Sequence, residues 1–436
     1  MERKVISDSR TGESYVLIKH DSGLRICIWK MKDYSTSHAL FGTRYGSVNT
    51  TFRTKGEKDF VTVPNGIAHY LEHKLFENED CDVFSLYAKT GASGNAYTSF
   101  DRTCYLFSCT DNFYDSLSIL LDFVRKPYFT EETVAKEQGI IGQEIRMYDD
   151  KPEWRIMFNM LGGLYKNNPV KIDIAGTVES IAEITPELLY KCYYSFYNLN
   201  NMVLSIAGDV DEDRIIELCD RILKPDEDMD LEVSFPDEPD EPVKRIVRQS
   251  FEVANPLFNI GYKSCAYEGD ELIRADVETN IILSLLADES TDFYKKLYDS
   301  GLINSTFGSE VFSGSGFFVP IFEGESKDPE KVYELINQEI TRRMECGFEE
   351  ERFENVRKSY YGRLIRDLNI PEALATNMIN CTLEGTNAFT EMDIVASVTL
   401  EDIEKRLRKQ FDINRSVLSI IDPVRTEGVS DGNGNT

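Results

Sequence analysis

The chain has 436 residues, of which 41% are hydrophobic, and is too long for one ordinary hydrophobic core. Its formal net charge of −28 makes the phosphate backbone of nucleic acids an unfavourable partner. No segment approaches the roughly 18 apolar residues that cross a bilayer, and the N-terminal residues lack the apolar run of a signal peptide. We therefore expect a cytoplasmic protein of two domains, with no nucleic-acid partner and no membrane association.

Strand and helix patterns alternate along the first 126 residues. The segments LRICIWKMK (24–32) and AYTSFDRTCYLFSC (96–109) alternate apolar and polar residues, as half-buried strands do. The segment FYDSLSILLDFVRK (113–126) instead has the period of an amphipathic helix. This mixture predicts an α+β domain in which helices back a sheet.

Between these segments, GIAHYLEHKLFE (66–77) predicts a helix that we call the histidine helix. His69, Glu72 and His73 share one face of it, although the chain has only four histidines. Two imidazoles on adjacent turns can reach one tetrahedral zinc ion, with the carboxylate beside its open position. The alternative is a surface helix with two solvated histidines. Because histidine is so rare here, this H-x-x-E-H pattern favours the metal site.

A third ligand is expected from EETVAKEQGIIGQEIRMYDD (131–150). Glu137 and Glu144 are seven residues apart, two turns of a helix, and so lie on nearly the same face. One carboxylate can bind zinc while the other orients a histidine, or both can be solvated, and the spacing does not choose. The remaining histidines, His20 and His38, lie in less regular surroundings and are not expected to bind the metal.

The chain contains an internal repeat. Residues 184–210 match residues 398–424 without gaps at a constant offset of 214, and VLSI occurs in both. Each copy begins with a threonine suited to cap a helix and ends in a short β-branched strand pattern. We therefore predict two homologous α+β domains, each a mostly antiparallel sheet backed by helices, related by internal duplication.

Between the repeats, KPDEDMDLEVSFPDEPDEPVKR (224–245) is rich in proline and acidic residues. It offers no pattern that would bury a core and is interpreted as a linker. The predicted domains are 1–225, which carries the metal site, and 243–436, which lacks one. The acidic, proline-rich linker spans 226–242.

The repeat also provides an internal comparison for the histidine helix. The offset places its three polar residues opposite Leu283, Leu286 and Ala287, in NIILSLLADES (280–290). Packing a helix at this place in the fold therefore does not require histidine or glutamate. This difference favours a chemical role for the polar residues of the first copy.

Together these features resemble the insulinase and pitrilysin family of zinc peptidases, and within it the short members similar to the mitochondrial processing peptidase. The resemblance spans essentially the whole chain. It rests on the histidine helix, the helix of Glu137 and Glu144, and three further segments: GASGNAYTSFDRTCY (91–105), IAGTVESI (174–181) and NNMVLSIAGDV (200–210).

The resemblance implies a site and an activity. His69, His73 and Glu144 would bind zinc, Glu72 would be the general base, and Glu137 would support a ligand from behind. Asn95 and Ala96 match the edge strand to which a peptide substrate adds through main-chain hydrogen bonds. The implied function is a zinc-dependent metalloendopeptidase that hydrolyses short or unfolded peptides through a glutamate-assisted, zinc-bound water.

The sequence departs from that family in LYDSGLINSTF (297–307). Tyr298 stands where active members have an arginine, and Asn304 or Ser305 stands where they have a tyrosine. We therefore predict a heterodimer with a related, zinc-free subunit that supplies the arginine and the tyrosine. A homodimer is the alternative partner arrangement, although a second copy would bring the same defect.

Two other functions are alternatives to a zinc peptidase. A noncatalytic assembly or peptide-binding subunit of the same family is the main alternative, and the intact H-x-x-E-H pattern argues against it. A zinc hydrolase of non-peptide bonds is disfavoured, because a small substrate does not need a strand-pairing edge.

Overall fold

The chain forms a mixed α+β fold, seen in a computed structural model that describes residues 1–79 and 82–424. The strands in this part of the chain are β1 (Glu2–Ser7), β2 (Ser14–Lys19), β3 (Arg25–Lys30), β4 (Ser37–Thr43), β5 (Thr51–Arg53), β6 (Val61–Thr62), β7 (Ser93–Thr98), β8 (Thr103–Cys109), β9 (Met202–Gly208), β10 (Glu232–Val233), β11 (Ile246–Phe251), β12 (Leu257–Tyr262), β13 (Gly308–Gly314), β14 (Phe317–Glu325) and β15 (Ser416–Pro423).

The helices of the same residues are α1 (Ile67–Leu75), α2 (Val83–Thr90), α3 (Phe113–Val124), α4 (Glu131–Asp149), α5 (Pro152–Leu164), α6 (Val178–Ile181), α7 (Pro186–Phe196), α8 (Glu212–Ile222), α9 (Gly269–Ala287), α10 (Asp292–Asp299), α11 (Pro329–Cys346), α12 (Glu350–Asp367), α13 (Pro371–Leu383), α14 (Thr390–Ser397) and α15 (Leu400–Gln410).

The first sheet has seven strands in the order β1-β2-β3-β9-β4-β8-β7. Its neighbours are antiparallel except β3 and β9, which are parallel. The central strands β4 and β9 are buried throughout because helices cover both faces of the sheet. The segment 96–109, taken from sequence as one alternating run, is divided between β7 and β8 by a turn.

The second sheet repeats this arrangement. Its order β11-β15-β12-β14-β13 corresponds strand for strand to β3-β9-β4-β8-β7, and its only parallel pair, β11 with β15, occupies the same place. The helices between corresponding strands also follow in the same order. The α+β fold of two similar halves is therefore confirmed, and the shared strand order supports the inferred duplication.

The two halves exchange a helix. Helix α5, from the first half, packs on β12 and β15 of the second sheet, and α13, from the second half, packs on β4 and β9 of the first. A glycine makes room in each case. A Cβ at Gly42 would lie 2.8 Å from the Ile379 side chain, and one at Gly261 would lie 2.6 Å from Met160. Each half therefore completes the core of the other, and we expect the halves to unfold together.

The segment between the halves is more structured than the sequence suggested. Leu231 and Val233 pack against the first core, and β10 pairs with β5 to extend a small sheet, β10-β5-β6. The carboxylate of Glu238 accepts a hydrogen bond of 2.6 Å from the buried ammonium of Lys263. Partly buried apolar side chains and several ion pairs therefore hold this segment against the fold, which its composition did not indicate.

No helix of the described residues has both the length and the apolar character that crossing a bilayer requires. The alternation of apolar and charged positions explains this. Even the long helices α4 and α12 each bury one face and expose a charged one.

Candidate metal centre and its surroundings

Helix α1, which contains the histidine helix, begins directly after Gly66. The φ angle of Gly66 is 88°, in the left-handed region that glycine adopts without strain. Ile67, Leu71 and Leu75 are buried in the first core. These apolar contacts fix the rotation of α1 about its axis and thereby the direction in which its polar residues project.

The segment 174–181 lies against the start of α1. A Cβ at Gly66 would lie 2.3 Å from the carbonyl oxygen of Ala175, and one at Gly176 would lie 2.5 Å from that of Asn65. Both glycines also have positive φ angles. The close approach of these two backbones positions the first turn of α1, and only glycine permits it.

We expect Gly66→Ala to lower the free energy of unfolding by about 2 kcal/mol or more. The new methyl group adds left-handed strain of about 1–2 kcal/mol and meets a backbone oxygen that cannot move away easily. Gly139→Ala is the matched control, because Gly139 lies in α4 and a Cβ added there would meet nothing within 4 Å. Urea unfolding measures both. Equal midpoints for the two variants would contradict this account of the α1 start.

Helix α4 supplies the two glutamates. The Thr130 hydroxyl accepts a hydrogen bond from the backbone N–H of Thr133 at its N-terminus. Val134 and Ile141 are buried in the first core, and the Tyr70 hydroxyl donates to the carbonyl oxygen of Val134. This bond ties α1 to α4, so the relative position of the histidines and the glutamates does not depend on a loop.

The structure brings His69, His73 and Glu144 together. One ligand atom from each lies within 4.8 Å of the other two. His69 Nε2 is 3.9 Å from Glu144 Oε1, and His73 Nε2 is 3.5 Å from Glu144 Oε2. A tetrahedral zinc ion with bonds of about 2.0–2.1 Å separates its ligand atoms by roughly 3.4 Å. The donor set and its spacing therefore fit one such ion.

Glu137 contacts His73 on the side of the ring away from Glu144. Its Oε1 lies 2.9 Å from His73 Nδ1, which leaves His73 Nε2 directed toward Glu144. A carboxylate in this place fixes the tautomer and the orientation of a metal-binding imidazole. His69 lacks such support, since its buried Nδ1 has no hydrogen-bond partner among the described residues.

The electrostatics of the two histidines differ. Burial, and secondarily the charge of His73, lowers the pKa of His69 to about 3, which keeps this imidazole neutral. Burial also acts to lower the pKa of His73. The hydrogen bond to Glu137 and the negative charges of Glu72 and Glu144 outweigh it, so the pKa of His73 is raised. The glutamates thus make this pocket favourable for a positive charge.

Glu72 lies beside the cluster and is buried, with 9% of the residue exposed. Burial raises the pKa of its carboxyl, although the charge of His73 and a hydrogen bond from Thr98 lower it. The Thr98 hydroxyl donates to Glu72 Oε2 at 2.8 Å. A carboxylate with a raised pKa and a fixed orientation is suited to accept and return a proton.

Thr98 was missed by the sequence analysis, although it lies within a segment singled out there. Residues two apart on a strand share a face, so Thr98 lies on the same side of β7 as Ala96. Applying the two-residue period of a strand to the segment that contains Ala96 could have identified Thr98.

Strand β7, which contains Asn95 and Ala96, is the last strand of its sheet in the described part of the chain. It pairs with β8 on one side only. The side-chain oxygen of Asn95 accepts a hydrogen bond of 2.9 Å from the Ala96 N–H. The edge therefore offers main-chain groups for pairing, with one N–H already bonded to a neighbouring side chain.

The other two histidines are bonded elsewhere. His20 is buried, with its ring nitrogens 2.8 Å from Ser22 Oγ and 3.0 Å from Asp220 Oδ1. His38 is buried in β4, and its Nδ1 lies 2.6 Å from Ser108 Oγ. Both have polar partners within the fold, which is the ordinary role of a buried histidine.

The segment that lacks the expected arginine and tyrosine includes the end of α10. Tyr298 is 49% exposed and stacks on Tyr294. The Asn304 amide donates to Glu325 at 2.9 Å, so it serves the local turn. Neither side chain supplies the positive charge that an arginine would bring.

Sequence profiles and a relative match most of the chain. The sequence profile described as Insulinase (Peptidase family M16) matches residues 62–178, and that described as Peptidase M16 inactive domain matches residues 183–360. The uncharacterized zinc protease YmfH of Bacillus subtilis is 38% identical over 410 residues, which span 93% of this chain and 96% of that protein.

Two solved structures have the same fold. An M16-like peptidase from Alicyclobacillus acidocaldarius has a TM-score of 0.91 and 34% identity, covering 97% of this chain and 99% of that one. Pitrilysin has a TM-score of 0.76 at 14% identity, covering 97% of this chain and 46% of its own, a likeness of fold alone. The two-half architecture described above therefore matches one half of the larger pitrilysin chain.

Proposed function

The chain belongs to the insulinase family, peptidase family M16, and from this premise we propose that it is a zinc-dependent endopeptidase of short or unfolded peptides. The observation that carries the proposal is the convergence of His69, His73 and Glu144 from two helices, with Glu72 buried at their side. A scaffold of this fold would not need these residues, because the second half packs Leu283 and Leu286 on the corresponding helix.

The proposed ligands are the Nε2 atoms of His69 and His73 and the carboxylate of Glu144. Zinc held there would supply Lewis-acid chemistry, which lowers the pKa of a water from about 15.7 toward 7 and polarises a carbonyl group. Glu137 would keep His73 in the tautomer that binds through Nε2. These assignments use two neutral nitrogens and one carboxylate, a set that catalytic zinc sites employ.

Glu72 is the proposed general base. Its carboxylate would take a proton from the attacking water and pass it to the amine that leaves when the peptide bond breaks. Thr98 would hold the carboxylate in one orientation through both transfers. Burial of Glu72 supports this role, because a raised pKa improves its ability to hold the proton between the two steps.

The peptide is proposed to add to β7 as a further antiparallel strand. The residues Asn95 and Ala96 would present their main-chain groups, and Asn95 would release the bond that it makes to the Ala96 N–H. Since Thr98 of the same strand contacts Glu72, a chain bound along β7 passes beside the proposed base. This arrangement suits an extended or unfolded substrate rather than a folded one.

We further propose that the active form is a two-subunit chamber. The partner would be a related, zinc-free chain that contributes the arginine and tyrosine absent at Tyr298 and at Asn304 or Ser305. The support is the local structure, in which Tyr298 is an exposed aromatic residue and Asn304 is engaged in its own turn.

Purification from the native host tests the partner. We expect a related chain to accompany this one, and we expect the pair to hydrolyse unfolded peptides at least about tenfold faster than the single chain. Adding the partner to the Glu72→Gln variant should restore no activity. Activity in that mixture would mean that the partner is itself a peptidase and does not share this active site. Full activity of the single chain, with nothing accompanying it, would contradict the heterodimer.

A further inference from the structure

In the second half, the helix that corresponds to α4 has an arginine at the position of one proposed metal ligand. Helices α4 and α12 are equivalent in the duplicated fold and begin at Glu131 and Glu350. Counting from these starts places Arg363 opposite Glu144, one of the proposed ligands. A carboxylate suited to a cation in the first half is thus replaced by a guanidinium in the second.

A pocket opens beside Arg363. It has a volume of about 380 Å³ and lies between the end of α9 and helix α12. Helix α9 is the counterpart of α1, and Ser284 and Asp288 line the pocket, each one position after the buried Leu283 and Ala287 that the repeat aligns with the histidines. Two arginines and several hydroxyl groups line the pocket: Arg352, Arg363, Ser284, Ser290 and Ser359.

Both arginines are available to an anion. The two terminal nitrogens of Arg352 donate only to neutral oxygens of Ser290, at 3.4 and 3.2 Å. The guanidinium of Arg363 lies over the Tyr360 ring, 4.6 Å from its centre. In the described residues no ion pair joins either arginine to a carboxylate, although the charge of Arg352 acts on the carboxylate of Glu349 and that of Arg363 on the carboxylate of Glu391.

One carboxylate also lines the pocket, that of Asp288, and one of its oxygens is already hydrogen-bonded. Asp288 Oδ1 accepts from the backbone N–H of Ser290 at 2.9 Å and from the Ser290 hydroxyl at 2.8 Å. The formal charge of the lining is therefore positive by one. An anion that enters the pocket beside either arginine is attracted locally.

We propose that this pocket binds the terminal carboxylate of a peptide. A carboxylate pairs well with a guanidinium because two parallel N–H···O bonds match its geometry. A doubly charged phosphate would meet about twice the long-range repulsion from a chain of net charge −28. A single carboxylate is therefore the better match. The inference concerns binding by the second half and does not depend on peptide hydrolysis.

The test measures binding of an unstructured, fluorescently labelled peptide to the full-length Glu72→Gln variant, which should not cleave it. We expect the peptide with a free C-terminal carboxylate to bind about tenfold more tightly than the same peptide with a C-terminal amide. Arg363→Ala and Arg352→Ala should each reduce that difference, and the double variant should abolish it, while binding of the amide stays unchanged.

Lys358→Ala is the matched control, because it removes one positive charge from the same helix without touching the pocket. It should preserve the preference for the free carboxylate. Equal binding of acid and amide, or an equal loss in the lysine and arginine variants, would overturn the proposal. So would displacement of the peptide by inorganic phosphate at lower concentration than by acetate, since the pocket would then prefer a phosphate. Loss of hydrolysis in other variants has no bearing on these outcomes.

Discussion

Replacing Glu72 with glutamine will lower the rate of peptide hydrolysis by about 10²- to 10⁴-fold, the contribution expected of a general base. The amide has nearly the shape of the carboxylate and can still accept the hydrogen bond of Thr98. It cannot accept the proton of the attacking water. The variant should therefore fold and bind zinc as the parent chain does while turnover is lost.

The control for this variant is Glu132→Gln, which removes a negative charge from an exposed position in the first turn of α4. Turnover by this control should stay within about twofold of the parent, because surface substitutions away from the site have small effects. The assay compares initial rates on one unfolded peptide with the appropriate partner present. If Glu72→Gln and Glu132→Gln turn over equally, Glu72 is not the base.

Replacing Glu144 with glutamine will weaken zinc binding by more than the roughly 10- to 100-fold that loss of a supporting carboxylate costs. Glu144 is the one carboxylate in the described part of the chain that lies within 4 Å of both histidine Nε2 atoms. Its loss leaves two nitrogens, too few for a catalytic zinc site. The affinity is measured by competition with a chromophoric chelator.

Glu137→Gln provides the graded comparison. In the described part of the chain Glu137 bonds His73 at Nδ1 and not at Nε2, so its loss should weaken zinc binding by about 10- to 100-fold and no more. The order of affinities should therefore be parent chain, Glu137→Gln, then Glu144→Gln. If Glu137→Gln weakens zinc binding more than Glu144→Gln does, then Glu137 is the ligand and Glu144 the supporting residue.

The signals for the proposed metal cluster are local in the sequence. His69, Glu72 and His73 share a helix face, and the period of a helix settles their direction once that helix is known. The spacing of Glu144 in the sequence could not predict that its carboxylate lies beside that face. Its assignment over Glu137 came from family resemblance, and the structure places the two glutamates on different atoms of the cluster.

The exchanged helices could not be predicted in the same way. The apolar faces of α5 and α13 indicate only that each helix packs against something, and a hydrophobic face does not identify its partner. Gly42 and Gly261, which admit the two helices, look like ordinary strand glycines in the sequence. Likewise, β10 has only two residues, too few for a periodic pattern.

The account as a whole depends on one cation held between α1 and α4. The most direct measurement is anomalous X-ray diffraction at the zinc edge from crystals of the purified protein, together with its metal content. We expect about one zinc per chain, about 2.0–2.1 Å from the Nε2 atoms of His69 and His73 and bound by the Glu144 carboxylate. Zinc below about a tenth of an equivalent in protein purified without chelator, or an ion bound elsewhere, would contradict the account.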